Sequence, residues 1–495
     1  MNDVNQPIEK IILNRKSKLK KLEALNIDSY PNKFDYTHKT CDVNRDFSKL
    51  NPGDKSEENI SVCGRLISRR EMGKSTFGHI FDSTGKLQIY LRQNVVGENS
   101  FKTFIDMVDI GDFIGVEGTP FKTKTGELTV NAVRWCLLSK SLRPLPEKWH
   151  GLQDVETRYR QRYLDLIANE NTRKIFYTRA KIITLIRQFL DKNNFLELET
   201  PVIQSMPGGA LAKPFKTYHN AYRMDLFLRI APELPLKIST IGGFDRIYEL
   251  GRNFRNEGID RLHSPEFTML EVYQTYADYN DMLKLCKEII SFVIKELGLQ
   301  EEIEYGSHKL NLSEYKVISL EELFRKMLGL DLKETLEKNE IRKVAKKLNI
   351  EVSNDSSDKK VFDSIFESRI QCELKNPTFV IDYPVIFCPL AKRKKDNPFY
   401  AERFELFIGG EEIANAYSEL NDPEEQRKRF LAQGEKHDDG ENIHPFNEDF
   451  ITALEYGMPP CGGLGIGIDR LTMFLTNSAS IREVILFPLL KPEKT

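Results

Sequence analysis

The chain has 495 residues, 40% hydrophobic and 29% charged, with a net charge of −2. This length exceeds one ordinary domain, and the apolar content suffices for more than one core. The near-neutral balance excludes a globally basic nucleic-acid binder, so any such surface must be local.

Seven scattered cysteines with no C-x-x-C pair argue against a disulfide framework and a zinc ribbon. The start MNDVNQPIEK is polar, unlike a secretory leader, and no apolar run reaches the roughly 18 residues of a membrane span. A cytoplasmic protein without membrane contact is expected.

Residues 8–26, IEKIILNRKSKLKKLEALN, show helical periodicity, with Ile11, Ile12, Leu19, Leu22 and Leu25 among lysines and arginine. Two readings stand for this basic extension, taken as 1–57: a solvated helix face, or a helix that touches nucleic acid. From about 60 to 138, alternating runs cut by Ser-Thr-Gly and Lys-Thr-Gly turns suggest five strands. They predict an OB-type barrel at 58–145, a fold that often binds single-stranded nucleic acid.

RPLPEKWHGLQDVETRYRQRYLDLIAN opens with two prolines and becomes a charged helix, a connector at 146–172. A second domain, 173–495, mixes amphipathic helices with strands. A helix ends near Asn193–Asn194, and LELETPVI is a short strand interrupted by Pro201. Residues 280–375 are helix-rich with many lysines and glutamates, and read as an insertion or support without chemistry. The fold class expected is α+β.

Three stretches carry candidate chemistry. FDRIYELGRNFRN and PEFTMLEVYQT both alternate and predict an antiparallel hairpin with a long loop at 256–264. Phe267, Met269, Glu271 and Tyr273 share one face, as do Glu249, Gly251, Asn253 and Arg255. Thr268, Leu270 and Val272 take a mostly apolar face. The mixed face resembles a binding floor; the bland reading is a salt-bridged surface hairpin.

In CGGLGIGIDRLTMFL, Gly463, Gly465 and Gly467 alternate with Leu464, Ile466 and Ile468. A face without side chains lets a flat ligand approach the backbone, and Arg470 at the following helix start could reach an anion. The bland reading is a glycine-thinned packed strand. In ERFELFIGGEEIANAYSELND, the Gly409–Gly410 turn pairs Phe407 with Glu412 and places Glu405 on the face of Glu412. Two such carboxylates suit a hard cation; otherwise they are solvated. Asn415, Tyr417 and Glu419 fall in the opposite phase, so one shared site requires a bulge between 412 and 415.

Together these stretches resemble the class II aminoacyl-tRNA synthetases. LETPVI with its preceding helix is similar to their dimer-forming motif, GRNFRNEGIDRLHSPEFTMLE to the second and GLGIGIDRL to the third. Barrel, connector and catalytic domain follow the order of the aspartate, asparagine and lysine subgroup. HGLQDVETRYRQRYLDLIAN, MPGGA, RIAPEL and IGGFDRIYELGRNFRNEGID resemble the lysine-specific branch most closely, over about 55–492.

The resemblance implies an N-terminal OB-type barrel, a catalytic domain whose antiparallel sheet is flanked by helices, and ligation of lysine to its tRNA by a homodimer. ATP is then a substrate and Mg²⁺ a cofactor, with two or three ions per subunit. It gives Arg255 and Arg470 catalytic roles, Arg255 bridging carboxylate and α-phosphate. Glu257 and Phe267 meet adenine, His263 and Arg470 the γ-phosphate, and Gly465 and Gly467 support the nucleotide. Glu405 and Glu412 hold Mg²⁺, Glu405 thereby serving ATP as well.

Lysine falls to Gly209, Glu233, Arg255, Glu271, Tyr273, Asn415, Tyr417 and Glu419, Glu233 taking its α-amino group. The anticodon falls to Arg70, Phe77, Gln88 and, more weakly, Glu127. Arg252, Arg261 and Glu266 receive no role. The chain departs from the pattern at Pro235, Ser239–Thr240, Ala416 and Tyr417, which leaves the pocket wall near 235 open. The rivals are a ligase for aspartate or asparagine, whose site should offer Lys or Arg, and a non-catalytic protein built on the barrel.

Overall fold

The structure, a computed structural model, describes residues 7–146, 152–210, 212–353, 356–434 and 447–492. The first six residues of the expected extension, 147–151 of the connector and 493–495 lie outside them. The chain divides into two compact units, Met1–Gln153 and Asp154–Thr495.

In the first unit, helix α1 (Ile8–Ala24) buries Ile11, Arg15 and Leu22. Leu22 enters the barrel core, and Arg15 Nη1 donates to the carbonyls of Ser141 and Arg143 at 3.0 and 3.1 Å. One face of the basic helix is thus occupied by the barrel, while Lys16, Lys20 and Lys21 remain exposed. Strands β1 (Ile60–Met72), β2 (Ser75–Phe81), β3 (Lys86–Arg92), β4 (Phe113–Lys122) and β5 (Leu128–Ser139) close in the order β1-β2-β3-β5-β4. Period-two alternation fills the interior with Ile80, Leu87, Ile89 and Leu91 and turns Phe77, His79, Gln88 and Tyr90 outward.

The second unit is built on an eight-stranded sheet. Its elements are helix α2 (Glu170–Lys192), β6 (Leu196–Glu197), helix α3 (Glu233–Ile241), β7 (Arg246–Phe254), β8 (Glu266–Thr275) and helix α4 (Tyr279–Glu296). Then come β9 (Lys316–Ser319), helix α5 (Asp358–Arg369), β10 (Thr378–Pro384), β11 (Tyr400–Ile408), β12 (Glu411–Ser418), β13 (Cys461–Gly467) and helix α6 (Ile468–Leu475). The strand order is β9-β10-β11-β12-β13-β8-β7-β6. The six central strands are antiparallel, and a parallel strand closes each edge.

The expected hairpin is β7–β8, with Glu249 opposite Glu271 and Asn253 opposite Phe267. Its apolar face supplies Leu270 and Val272 to a core shared with Leu464 and Ile466 of β13, Ile186 of α2, and Met282, Ile289 and Ile290 of α4. Burying each large aliphatic side chain contributes roughly 1.5–3 kcal/mol, so one sheet face is fixed against helices and the other is left for chemistry. Asp278 caps α4, accepting from the backbone N–H of Asn280 and Asp281.

Within 280–375, α4 belongs to that main core and β9 to the sheet, while the helices around Phe324 and Phe362 form a second core. Pro235 sits in the first turn of α3, where its missing N–H costs no helical bond. Ile289→Ala should lower stability by about 2–5 kcal/mol, because α4 cannot collapse onto the cavity left behind. Urea unfolding followed by circular dichroism measures this.

Candidate active site

The free sheet face opens into a cavity of about 520 Å³. The β11–β12 hairpin supplies Glu405 and Glu412 to it. Gly409 and Gly410 turn it with φ of +67° and +84°, the paired left-handed conformation of a tight hairpin. Phe407 pairs with Glu412, but Leu406 already pairs with Ala414. Ile413 is therefore a bulge, and both Ile413 and Ala414 enter the core. The phase change brings Glu412, Asn415, Tyr417 and Glu419 to one cavity.

At one end, Arg255 follows β7, its backbone N–H donating to Pro265 O at 2.8 Å. Its guanidinium lies 5.0 Å from the Phe267 ring centroid, and its Nε has no hydrogen-bond partner among the described residues. Burial lowers its pKa against the pull of Glu257, Glu412 and Glu271, yet a guanidinium remains charged at neutral pH. Arg470 on α6 donates to the Glu412 carbonyl at 2.9 Å and lies 3.3 Å from Glu412 Oε2 and 3.2 Å from His263 Nε2. His263 Nδ1 meets Asp260 at 2.8 Å. Next to Arg470, buried Asp469 pairs with Arg179 at 2.7 Å and accepts from the Thr268 N–H at 2.6 Å, which fixes the start of α6. A side cavity of about 120 Å³ joins Glu257, Phe267 and Gly467 to Arg255 and Arg470.

At the other end, Glu233, Glu271 and Glu419 converge, all buried, with Tyr273 OH 3.4 Å from Glu271 Oε2. Burial, reinforced by Glu233, pushes Glu271 up to about 8 despite Arg255 and the tyrosine hydroxyl. Burial also holds Glu419 at about 8, with Glu233 adding to it and Lys237 opposing. Glu419 Oε1 has no hydrogen-bond partner among the described residues. A buried acceptor left open costs about 1–3 kcal/mol, which a donor from a ligand would recover. Gly209, with φ of +89°, backs onto Glu233.

The glycine strand works differently from an open ligand shelf. A Cβ on Gly463 would lie 1.9 Å from Glu419 Oε1, and one on Gly465 2.4 Å from Met269 Cε and 3.3 Å from Asn415 Oδ1. Two of the glycines make room for pocket side chains. Gly467 has nothing closer than 3.8 Å and leaves the backbone accessible.

Glu405 pairs with Arg403 and accepts from Tyr383 OH at 2.7 Å. Burial, with Glu412 adding to it, raises its pKa even against Arg403. For Glu412 burial acts in the same direction but is outweighed, chiefly by Arg470 and Asn415, and its pKa falls. Among the described residues no three His, Cys, Asp and Glu side chains cluster as a complete metal cage. Two carboxylates on adjacent strands fit a small hard cation that takes its remaining oxygens from phosphate.

On the barrel, Phe77 stacks on Tyr90 with centroids 4.2 Å apart. Arg70 is exposed opposite Phe77 on β1. Gln88 Nε2 donates to Glu127 Oε2 at 2.8 Å, and Glu127 Oε1 meets His79 Nε2 at 2.9 Å.

The family model for class II tRNA synthetases (D, K and N) matches residues 154–491, and that for the OB-fold nucleic acid binding domain matches 60–137. The lysine–tRNA ligase of Pelotomaculum thermopropionicum is 52% identical over 97% of this chain and 94% of its own. That of Carboxydothermus hydrogenoformans is 49% identical over 99% of both. This chain belongs to the lysine–tRNA ligase family of class II tRNA synthetases.

Several residues of this synthetase's site escape sequence reasoning. Tyr90 extends the Phe77 platform, a partner legible only once β2 and β3 are in register. Arg403 and Tyr383 flank Glu405. Lys359, Asp363 and Glu367 line the cavity at helical spacing from α5, and Gln371 from the turn just after it, inside the stretch read as support. Arg261 pairs with Glu411, and Arg252 lies 3.5 Å from Glu266, giving those loop charges partners. Gly463→Ala should displace Glu419 and cut amino-acid-dependent ATP–pyrophosphate exchange by roughly 100-fold, while circular dichroism stays native, since the clash is with a carboxylate that the pocket needs.

Proposed function

We propose that this protein activates lysine with ATP to lysyl-adenylate and transfers it to the 3′ end of the lysine tRNA. The carrying observation is the convergence of Glu233, Glu271 and Glu419 beside Arg255, with Glu419 Oε1 open. An acid-lined, buried pocket suits an amino acid with a cationic side chain and repels aspartate. Glu233 takes the α-ammonium, and Glu271 and Glu419 the side-chain end, with Gly209, Tyr273, Asn415 and Tyr417 shaping the space between.

The lysine carboxylate, with a pKa of about 3.5, is ionised and needs no general base. Its approach to the α-phosphate is opposed by about 4 kcal/mol at 4 Å in an effective dielectric of 20. Arg255 lies between the two anions and offers its open Nε side to them. A carboxylate oxygen bonds to the α-phosphorus as the bond to the bridging oxygen breaks, and pyrophosphate leaves toward Arg470 and His263. Glu257 and Phe267 hold adenine, beside the accessible Gly467 backbone, with Gly465 supporting the nucleotide through the Met269 and Asn415 side chains it makes room for. In the second step the tRNA hydroxyl attacks the adenylate carbonyl and AMP departs. Glu405 and Glu412 would hold Mg²⁺, two or three ions per subunit, whose bound charge neutralises the phosphates.

Phe77 and Tyr90 offer a stacking platform for anticodon bases, with Gln88, Glu127 and Arg70 as polar partners. Tyr177, Leu196, Ile203, Tyr218 and Tyr222 are exposed along α2, β6 and the neighbouring chain, and suit a homodimer interface. Among the described residues no helix is long and apolar enough to cross a membrane. All seven cysteines are free, in keeping with a reducing cytoplasm.

ATP–pyrophosphate exchange with each amino acid in turn tests the reading: lysine should drive it, and aspartate-driven exchange would overturn it. Ornithine, one methylene shorter, should be poorer by roughly 10- to 200-fold. Glu271 and Glu419 stand near 8 in the empty site, above the usual 4.5. An ammonium needs them ionised, so lysine binding should release protons and tighten as pH rises from 6.5 to 8, by at most about tenfold per pH unit per acid. Calorimetry in buffers of different ionisation enthalpy counts those protons. Glu271→Gln should remove one of them and weaken lysine far more than ATP. Phe77→Ala should raise the tRNA KM, through about 1–3 kcal/mol of lost stacking, and leave exchange unchanged.

A further inference from the structure

The pocket contains a lysine of its own. Lys237 lies one turn after Glu233 on α3 and has no exposed surface. Its Nζ is 2.7 Å from Glu233 Oε1 and 2.5 Å from Glu419 Oε2. One ammonium therefore ties the first turn of α3 to the segment just past β12. Its charge reaches Cys461 of β13, while Glu233 beside it acts on Glu271 and Tyr273 of β8 and on Tyr417 of β12, whose ring lies 5.4 Å from the Arg403 guanidinium. Arg255 faces the phosphate end.

Resting on the lysine–tRNA ligase reading, we propose that Lys237 is a positioning residue for amino-acid recognition, its ammonium holding Glu233 and Glu419 in fixed relation to each other. Three acids line the pocket, and bound lysine brings two ammoniums. Lys237 supplies the third, so the loaded pocket balances. The substrate carboxylate is left to Arg255. Burial alone would lower the Lys237 pKa, but the two carboxylates outweigh it and raise it, so the residue stays cationic throughout. Without it, one acid is a buried charge with no partner; it takes up a proton or turns away. The α-amino seat and the side-chain seat then lose their common anchor.

The test compares Lys237→Met and Lys237→Gln, the latter retaining N–H donors in case the former does not fold. In exchange assays with the full chain, the lysine KM should rise roughly 100-fold or more, as expected for breaking a buried pair. The ATP KM should stay within about twofold, since the ATP contacts lie at the other end of the cavity. The lysine KM of the variants should keep falling above pH 8, where the wild type has levelled. In Lys237→Ala, added n-propylammonium should restore lysine affinity and n-propanol should not.

A wild-type lysine KM and pH profile in a folded neutral variant would overturn the proposal. So would equal rescue by the alcohol. Loss of folding in both neutral variants would make Lys237 a residue of the fold, not of recognition, and overturn it equally. Failure of the wild type to exchange with lysine would instead sink the function reading itself.

Discussion

Everything in the catalytic unit bends around the cost of keeping three carboxyl groups out of water in one small space. Glu233, Glu271 and Glu419 are each nearly inaccessible, and two of them are driven to about 8 by burial and mutual repulsion. Such an arrangement weakens the empty protein as pH rises from the ordinary carboxyl value toward 8, because the folded state holds protons that the unfolded chain has released. A fold tolerates it only if the surrounding backbone cannot relax. The β7–β8 hairpin is therefore locked on its other face by Leu270, Val272 and α4, and β13 is reduced to glycine where the acid must fit.

The same logic separates the two ends of the cavity. At one end two arginines face the cavity: Arg255 keeps Nε open, and Arg470 reaches both Glu412 and His263. At the amino-acid end acids dominate. That gradient matches a molecule with a carboxylate at one end and an ammonium at the other. Shape then decides among cations, and charge among shapes.

Much of this was legible in the sequence because it depends on local period. Alternation placed Leu270 inward and Glu271 outward, gave the barrel its five strands, and required a bulge between 412 and 415, found at Ile413. The motif resemblance supplied what period could not, namely which outward residues to assign to ATP and which to lysine. Less legible were contacts made across long stretches of chain. Lys237 follows Glu233 at helical spacing, but nothing in the sequence brings Glu419 to it. Lys359, Asp363 and Glu367 repeat every four residues on α5, yet their approach to the cavity depends on Phe366 packing 5.4 Å from Phe407. The glycine strand is legible only in part for the same reason: at Gly463 and Gly465 its bare face holds side chains from β8 and β12 and from Glu419, while Gly467 stays open.

The bulge at Ile413 divides one strand into two independent rulers. Upstream of it, Glu412 is measured from the Gly409–Gly410 turn; downstream, Asn415, Tyr417 and Glu419 are measured from β13, with Asn415 opposite Gly465. Substitutions that shift Tyr417 or Glu419 need not move Glu405 and Glu412, because their errors do not accumulate through the ladder. A continuous strand would have coupled them rigidly. The extra residue thus lets the position of Glu412 and that of Glu419 be set by different neighbours within one strand.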